Sequence, residues 1–170
     1  MVVVTIDGRG TPLRSKAFHD AWYGRMETAG GLVDHIAALK QLAAERPYMD
    51  LDRVGITGHS GGGFASTRAL FLYPEFYKVA VSSSGNHDQR GYAQQWGEKY
   101  QGLMSDGASY AAQVNASIAH RLEGKLLLAY ADMDDNVPPA LTLQVADALI
   151  KANKDFDLLV MPNHNHLSIY

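Results

Sequence analysis

Short apolar runs alternate along the chain with longer stretches whose apolar residues recur at helical spacing. Four runs have the length and composition of buried strands, and they comprise residues 2–6, 53–57, 125–131 and 156–161. Helices are predicted between them, at residues 29–46 and 61–72 and after Pro138. Alternating strands and helices are typical of an α/β protein with a mostly parallel sheet.

Prolines mark where two of the predicted helices begin or end. Pro47 ends the first helix, because a proline ring cannot continue a helical turn. Leu141, Val145 and Leu149 form one apolar stripe on the last helix, and Pro139 suits its first turn. The first helix is therefore predicted to be a crossover between parallel strands.

Composition and charge narrow the class of protein. A length of 170 residues with 46% hydrophobic content fits one domain spanning residues 1–170. The net charge of −3 without a basic cluster argues against nucleic acid, and no apolar run is long enough to cross a membrane. The chain has no cysteine, so disulfides and thiol chemistry are excluded. We expect a small-molecule substrate, no cofactor and, without a visible signal peptide, a cytoplasmic location.

The most informative motif is GHSGGG at residues 58–63, which lies between a predicted strand and a predicted helix. A serine on such a turn adopts strained dihedrals, and the glycines two residues away leave space for the turn. Ser60 is therefore a candidate nucleophile. The N–H of Gly61, at the start of the helix, is a candidate oxyanion donor.

Candidates for the acid and the base follow later strands, in the order that this type of fold uses. The strand at residues 125–131 ends in an acidic loop that contains Asp132, Asp134 and Asp135, and the last strand leads into His164 and His166. The carboxyl ends of parallel strands are where such sheets place catalytic groups.

Metal binding is an alternative interpretation of the same residues. Asp132, Asp134 and Asn136 have the spacing of a calcium loop, but Val137 replaces the expected glycine and Leu143 the closing glutamate. A histidine pair one residue apart could bind a metal, yet no further ligand motif supports it. We therefore predict no metal site.

Four motifs carry a resemblance to a known family: DGRG at residues 7–10, DRVGITGHSGGG at 52–63, DDNV at 134–137 and PNHNH at 162–166. They resemble the catalytic domain of the prolyl oligopeptidase family, in its dipeptidyl-peptidase branch. The resemblance implies Ser60 as nucleophile, Asp134 as orienting acid and His166 as base.

The same resemblance implies a substrate pocket. Its residues would be Tyr92, Trp96, Asn136 and Val137. A different interpretation remains open, because Trp96 and Tyr100 lie four residues apart on a plausible helix and could belong to the core.

The chain also departs from the family pattern, and three expectations follow. The fold should be an α/β-hydrolase-like sheet flanked by helices. We expect it to lack the family's first strands and last helix, and also the loop that supplies the second oxyanion donor in the family. One face of the sheet should be bare unless residues 102–122 cover it, and exposed apolar faces usually mark a partner, so we expect a homodimer. A shallow site with an incomplete oxyanion hole favours a carboxylesterase acting on short-chain esters. A prolyl oligopeptidase-type peptidase and a non-catalytic, self-associating fragment are the alternatives.

Overall fold

A computed structural model describes residues 1–104 and 110–168. The strands in this part of the chain are β1 Val54–His59, β2 Tyr77–Ser83, β3 Lys125–Ala131 and β4 Asp157–Met161. Its α-helices are α1 Lys16–His19, α2 Leu32–Glu45, α3 Gly61–Leu72, α4 Gln94–Gln101 and α5 Pro139–Lys151. Short 3₁₀ turns lie at Asp20–Trp22, Met26–Thr28, Leu51–Arg53, Gln89–Gly91 and Asn115–Arg121.

The strands form one parallel sheet in the order β1-β2-β3-β4. Thr57 lies opposite Val81, Val81 opposite Leu127, and Leu127 opposite Asp157. All four carboxyl ends therefore meet at one edge of the sheet, where the loops after the strands can bring distant residues together. This confirms the predicted α/β fold.

Helices cover one face of the sheet and leave the other open. Helix α3 packs on β1 and β2, α5 packs on β3, and the turn Asn115–Arg121 packs on both helices. The core lies beneath them and includes Leu70, Phe71, Leu126, Leu128, Val145 and Leu149. On the opposite face Val79 is 46% exposed and Val81 36%. The turn Asn115–Arg121, which belongs to the segment predicted as a possible cover, therefore lies on the helical side.

The predicted strand at residues 2–6 is wrong. Residues 1–8 form neither strand nor helix, and Val2 and Val3 are exposed. A strand needs a neighbour that satisfies its backbone N–H and C=O groups. Among the described residues no strand pairs with this segment, so its high β propensity has no effect.

The other elements agree closely with the prediction. The bounds of α3 and β3 are as predicted, β1 and β4 begin one residue later, and β1 continues to His59. Helix α2 begins three residues late, because Ala29, Gly30 and Gly31 all have positive φ. Strand β2 was not identified from the sequence. Residues 105–109, within the segment 102–122 that was predicted as a possible cover of the sheet, lie outside the described residues.

Candidate active site

Ser60 lies on the turn that connects β1 to α3. Its φ of 57° and ψ of −120° are unusual for a residue with a side chain, and such a conformation costs on the order of 1–3 kcal/mol. Its N–H donates to the carbonyl oxygen of Ser83 at 2.8 Å, which ties the turn to the end of β2. Gly61 is the first residue of α3, so its N–H has no acceptor within the helix and is available to a ligand.

Two glycines make this turn possible. A Cβ on Gly58 would lie 2.4 Å from the carbonyl group of Gly62, and a Cβ on Gly63 would lie 2.5 Å from the Ser83 oxygen. Both distances are far below van der Waals contact with backbone atoms that cannot move aside. Gly62 differs, because a Cβ there would meet nothing within 4 Å. Of the two glycines predicted to leave space for the turn, Gly58 is therefore sterically required and Gly62 is not, whereas Gly63 is required as well.

Asp134 and His166 form a buried pair although 32 residues separate them. Oδ2 of Asp134 accepts a hydrogen bond from Nδ1 of His166 at 2.8 Å, and the side chains are 1% and 6% exposed. Oδ1 accepts from the N–H groups of Asn136 at 3.0 Å and Val137 at 2.7 Å. With Nδ1 occupied in this way, Nε2 is the ring nitrogen left to act as a base.

Further hydrogen bonds join the loop after β3 to the loop after β4. Oδ1 of Asp132 accepts from the N–H of Asn163 at 2.7 Å, and the N–H of Met133 donates to the carbonyl oxygen of His164 at 3.1 Å. The acid and the base are therefore held by their own hydrogen bond and by the two loops that carry them.

The two sequence neighbours of Ser60 show what surrounds it. The ring of His59 lies 4.4 Å from the ring of His166, centroid to centroid. A Cβ on Gly61 would lie 3.4 Å from Cζ2 of Trp96. The residues before and after Ser60 in the sequence thus lie beside the predicted base and beside an aromatic side chain.

The predicted pocket residues divide into two groups. Tyr92 contacts Trp96 edge to face, with ring centroids 5.7 Å apart, and its hydroxyl donates to Oδ1 of Asn136 at 2.7 Å. Tyr92 and Trp96 are half-buried and Tyr100 is exposed, so this aromatic group is not a core cluster. Val137 is 2% exposed, and it supports the acid through its backbone while its side chain lies in the interior.

Burial and hydrogen bonding set the charges in the site. Burial alone would raise the pKa of Asp134, but the hydrogen bonds from His166, Val137 and Asn136 outweigh it and hold this pKa below its ordinary value. Burial, followed by the positive charge that His166 can carry, lowers the pKa of His59. Asp134 is therefore the negative group of the site, and His59 is a neutral ring beside the base.

Two functional candidates were not identified from the sequence. His59 was left unassigned, although its place immediately before the serine was a signal that it lies near the chemistry. The sequence predicts Asp132 only as part of the acidic loop and of a possible calcium loop, and its contact with Asn163 depends on the adjacent pairing of β3 and β4.

Neither a metal centre nor a membrane-spanning segment is found in the part of the chain that the structure describes. No three His, Asp or Glu side chains there are grouped so that they could hold a metal ion. Within residues 1–104 and 110–168, none of the helices has the length and apolar character needed to cross a bilayer. His164, the other histidine of the possible metal pair, is half-buried, and its Nδ1 lies 2.8 Å from the carbonyl oxygen of Pro162.

A parallel sheet with a serine on a strained strand-to-helix turn defines the α/β-hydrolase class of fold. Within that class, the chain belongs to the prolyl oligopeptidase family, whose sequence model matches residues 1–170. The resemblance drawn from the four motifs is therefore confirmed.

Several characterised proteins are similar to the chain. Dipeptidyl peptidase 8 of Mus musculus is 31% identical, and the match covers 97% of this chain and 19% of that protein. Prolyl endopeptidase FAP of Mus musculus is 27% identical, and the match covers 98% of this chain and 22% of that protein. Among solved structures, a putative dipeptidyl aminopeptidase IV from Bacteroides ovatus has a TM-score of 0.84 at 32% identity, covering 94% of this chain and 22% of that one. Porphyromonas gingivalis dipeptidyl peptidase 4 also has a TM-score of 0.84 at 32% identity, and the match covers 96% of this chain and 23% of that one. The chain thus spans about a fifth of the length of these relatives.

Proposed function

We propose that the chain carries the catalytic centre of a serine peptidase that cleaves short peptides through an acyl-enzyme. Ser60 is the nucleophile, His166 the general base and Asp134 the group that orients the imidazole. The N–H of Gly61 stabilises the oxyanion. Tyr92 and Trp96 contact the substrate beside the scissile bond, and Asn136 positions Tyr92 through its hydrogen bond.

The reaction proceeds in two halves. His166 Nε2 takes the proton from Ser60 as Oγ bonds to the scissile carbon, and the oxyanion is held by the N–H of Gly61. The carbon–nitrogen bond then breaks, and the leaving amine takes the proton from His166. A water attacks the ester in the same way, the acid leaves, and Ser60 recovers its proton. Asp134 keeps its charge throughout and stabilises the imidazolium.

The observation that carries this proposal is the buried His166–Asp134 hydrogen bond beside the serine turn. A non-catalytic domain gains little from a histidine that is held by a charged partner and lies against a strained turn. The lowered pKa of the Asp134 carboxyl is a perturbation typical of active sites.

The similarities favour peptide substrates over the ester substrates that the incomplete oxyanion hole suggested. The similar proteins are named as dipeptidyl peptidases and prolyl endopeptidases. Ester hydrolysis is the second candidate function, because an alkoxide leaves more easily than an amine and needs less stabilisation of the oxyanion.

The test compares a peptide substrate with an ester on the same chain. Glycyl-prolyl p-nitroanilide and p-nitrophenyl butyrate are supplied to the purified protein and to the Ser60→Ala variant, and each protein is labelled with a fluorophosphonate. We expect labelling and release of p-nitroaniline from the parent chain and neither from the variant. Butyrate turnover alone would replace the peptidase proposal with an esterase one.

A folded chain that neither labels nor turns over would contradict both activities. It would favour the remaining alternative, a self-associating module without catalysis. Sedimentation velocity would then decide whether the predicted homodimer exists.

A further inference from the structure

A cavity of about 320 Å³ lies next to the serine turn, separate from the predicted substrate contacts. Its walls are mostly aromatic and apolar and are formed by Trp22, Tyr23, Met26, Phe64, Trp96 and Tyr100. Tyr92, Asn136 and Val137 do not line it. Trp96 is therefore shared, since it contacts Tyr92 on the side of the predicted pocket and Tyr100 in the wall of the cavity.

The absence of a side chain at Gly61 leaves the cavity next to the nucleophile. Gly61 lines the cavity, and the Cβ that it lacks would lie 3.4 Å from Trp96. Any larger residue would stand between the serine turn and the ring of Trp96. The cavity therefore begins one residue from Ser60, within reach of a substrate group attached near the scissile carbonyl.

Hydrogen bonds hold the walls of the cavity in place. On one side Nε of the buried Arg68 donates to the carbonyl oxygen of Glu27 at 2.6 Å, which fixes the turn that carries Met26. On the other side the N–H of Gly24 donates to the carbonyl oxygen of Tyr100 at 2.9 Å. Walls fixed in this way describe a preformed site, and a preformed site loses little conformational entropy on binding.

The chemistry of the lining favours a neutral, flat, apolar group. Among the charged residues of the lining, Arg9 makes a bidentate contact with Asp34 and lies over the ring of Trp22, and Asp20 is paired with Lys16. Lys99 lies over the ring of Tyr100. The interior offers ring faces and aliphatic carbon, which aromatic groups contact well. Because a cavity of about 150 Å³ already accepts benzene, this one has room for a phenyl or indole group.

We propose that this cavity is a specificity site for peptide substrates with a bulky aromatic residue on the acyl side of the scissile bond. The proposal rests on the proposed function, because the aromatic group is selected only while its carbonyl is held at Ser60. The similar proteins are named for proline or for dipeptide release, so an aromatic preference would distinguish this chain from them.

A substrate series tests the preference. The chain is supplied with the p-nitroanilides of glycyl-phenylalanine and glycyl-alanine, which differ only in the acyl-side residue. Burial of the phenyl ring predicts a kcat/KM for the phenylalanine substrate at least about tenfold higher. Equal values for the two substrates would overturn the proposal.

Binding without catalysis is measured in parallel, because both tryptophans of the chain, Trp22 and Trp96, line the cavity. The Ser60→Ala variant is titrated with N-acetyl-phenylalaninamide and with N-acetyl-alaninamide while tryptophan fluorescence is recorded. We expect a saturable change with the first compound only. If fluorescence responds while Ser60 is inert to fluorophosphonate, the cavity stands and the proposed function fails. If Ser60 is labelled but fluorescence does not respond, the cavity proposal fails alone.

A substitution that fills the cavity tests whether the substrate preference and the fluorescence change both depend on it. Ala65 lines it one helical turn after Gly61, so Ala65→Leu should abolish the fluorescence change and reduce the phenylalanine preference about tenfold. The glycyl-alanine rate should change little. The matched control is Ala44→Leu, the same change at an exposed position of α2 outside the cavity.

If Ala65→Leu does not fold, Tyr100→Leu removes one wall of the cavity at an exposed residue and should weaken the same fluorescence response. An unchanged preference in the folded variants would overturn the proposal.

Discussion

The serine turn and the Asp134–His166 pair, which carry the proposed nucleophile, acid and base, owe their geometry to different interactions. The turn is a backbone structure, in which a positive φ at Ser60 is permitted by the missing Cβ atoms of Gly58 and Gly63. The acid–base pair depends on side chains, because its geometry comes from hydrogen bonds between loops that are distant in sequence. Substitutions in the turn should therefore affect folding and chemistry together, whereas substitutions in the pair should affect chemistry more than folding.

The largest expected effect tests the pair. In Asp134→Asn the amide oxygen can still accept from the backbone N–H groups, but the charge that orients and stabilises the His166 imidazolium is lost. We expect kcat to fall by about 10⁴-fold, with a smaller loss of stability than Gly58→Ala causes, since the lowered pKa of Asp134 means that its charge also stabilises the folded chain. The control is Asp135→Asn, the same change at the exposed neighbour. Equal losses in both variants, or unfolding of Asp134→Asn, would contradict the distinction between pair and turn.

Gly58→Ala tests the turn and should affect both properties. The added methyl group would lie 2.4 Å from backbone atoms of Gly62, so β1 and α3 must separate. We expect a loss of about 3 kcal/mol in the free energy of unfolding and loss of fluorophosphonate labelling. Urea unfolding and labelling at matched concentration measure the two effects. A variant that keeps its stability and still labels would show that the turn tolerates a side chain.

Acidification should weaken the packing beneath the turn. His87 is fully buried, accepts from Asn115 at Nδ1 and has its pKa lowered by burial from 6.5 to about 3. Because the unfolded chain takes up this proton first, stability is constant above about pH 6.5 and falls as the pH drops toward 3. His59, whose pKa is also lowered, adds to the loss in the same direction.

Urea unfolding at pH 7 and pH 5 measures this dependence. We expect a loss of roughly 2 kcal/mol from His87 over that interval, at about 1.4 kcal/mol per pH unit below 6.5. In His87→Gln the slope should flatten, whereas the exposed His120→Gln control should keep it. A slope that is the same in all three proteins would show that His87 is not the group responsible.

Gly62→Ala should have the smallest effect on the free energy of unfolding, and it should raise this free energy rather than lower it. Nothing lies within 4 Å of the Cβ position, and the residue is in the first turn of α3. Replacing glycine by alanine in a compatible conformation stabilises by about 0.4–1 kcal/mol, because the unfolded chain loses freedom. Labelling should persist. Destabilisation would mean that Gly62 is required as well as Gly58 and Gly63.

The same distinction explains what could be predicted from the sequence. The turn is encoded by contiguous residues, so Ser60, Gly61 and the bounds of α3 follow from one motif. The order after later strands predicts only the two loops, and Asp134 and His166 are singled out within them by the resemblance to the family. Their contact was not predictable from local pattern, because it depends on how β3 and β4 pair.

The errors have the same physical origin. The apolar residues 2–6 have strand composition, but strand formation depends on a partner that local sequence does not specify. The ring contact between His59 and His166 and the cavity beside Gly61 are likewise products of the folded chain. The open sheet face is present as expected, while the homodimer remains a prediction.

The link between the loops after β3 and β4 has a consequence for how the chain would lose activity on heating. Strand β4 is an edge strand whose side chains are mostly exposed, and such elements open before the core. When β4 frays, the hydrogen bonds from Asn163 to Asp132 and from His166 to Asp134 break together. His166, the proposed base, then moves away from Ser60, and Asp134 no longer orients it. Inactivation should therefore precede the loss of helical circular dichroism, and hydrogen exchange should locate the first opening at residues 157–166.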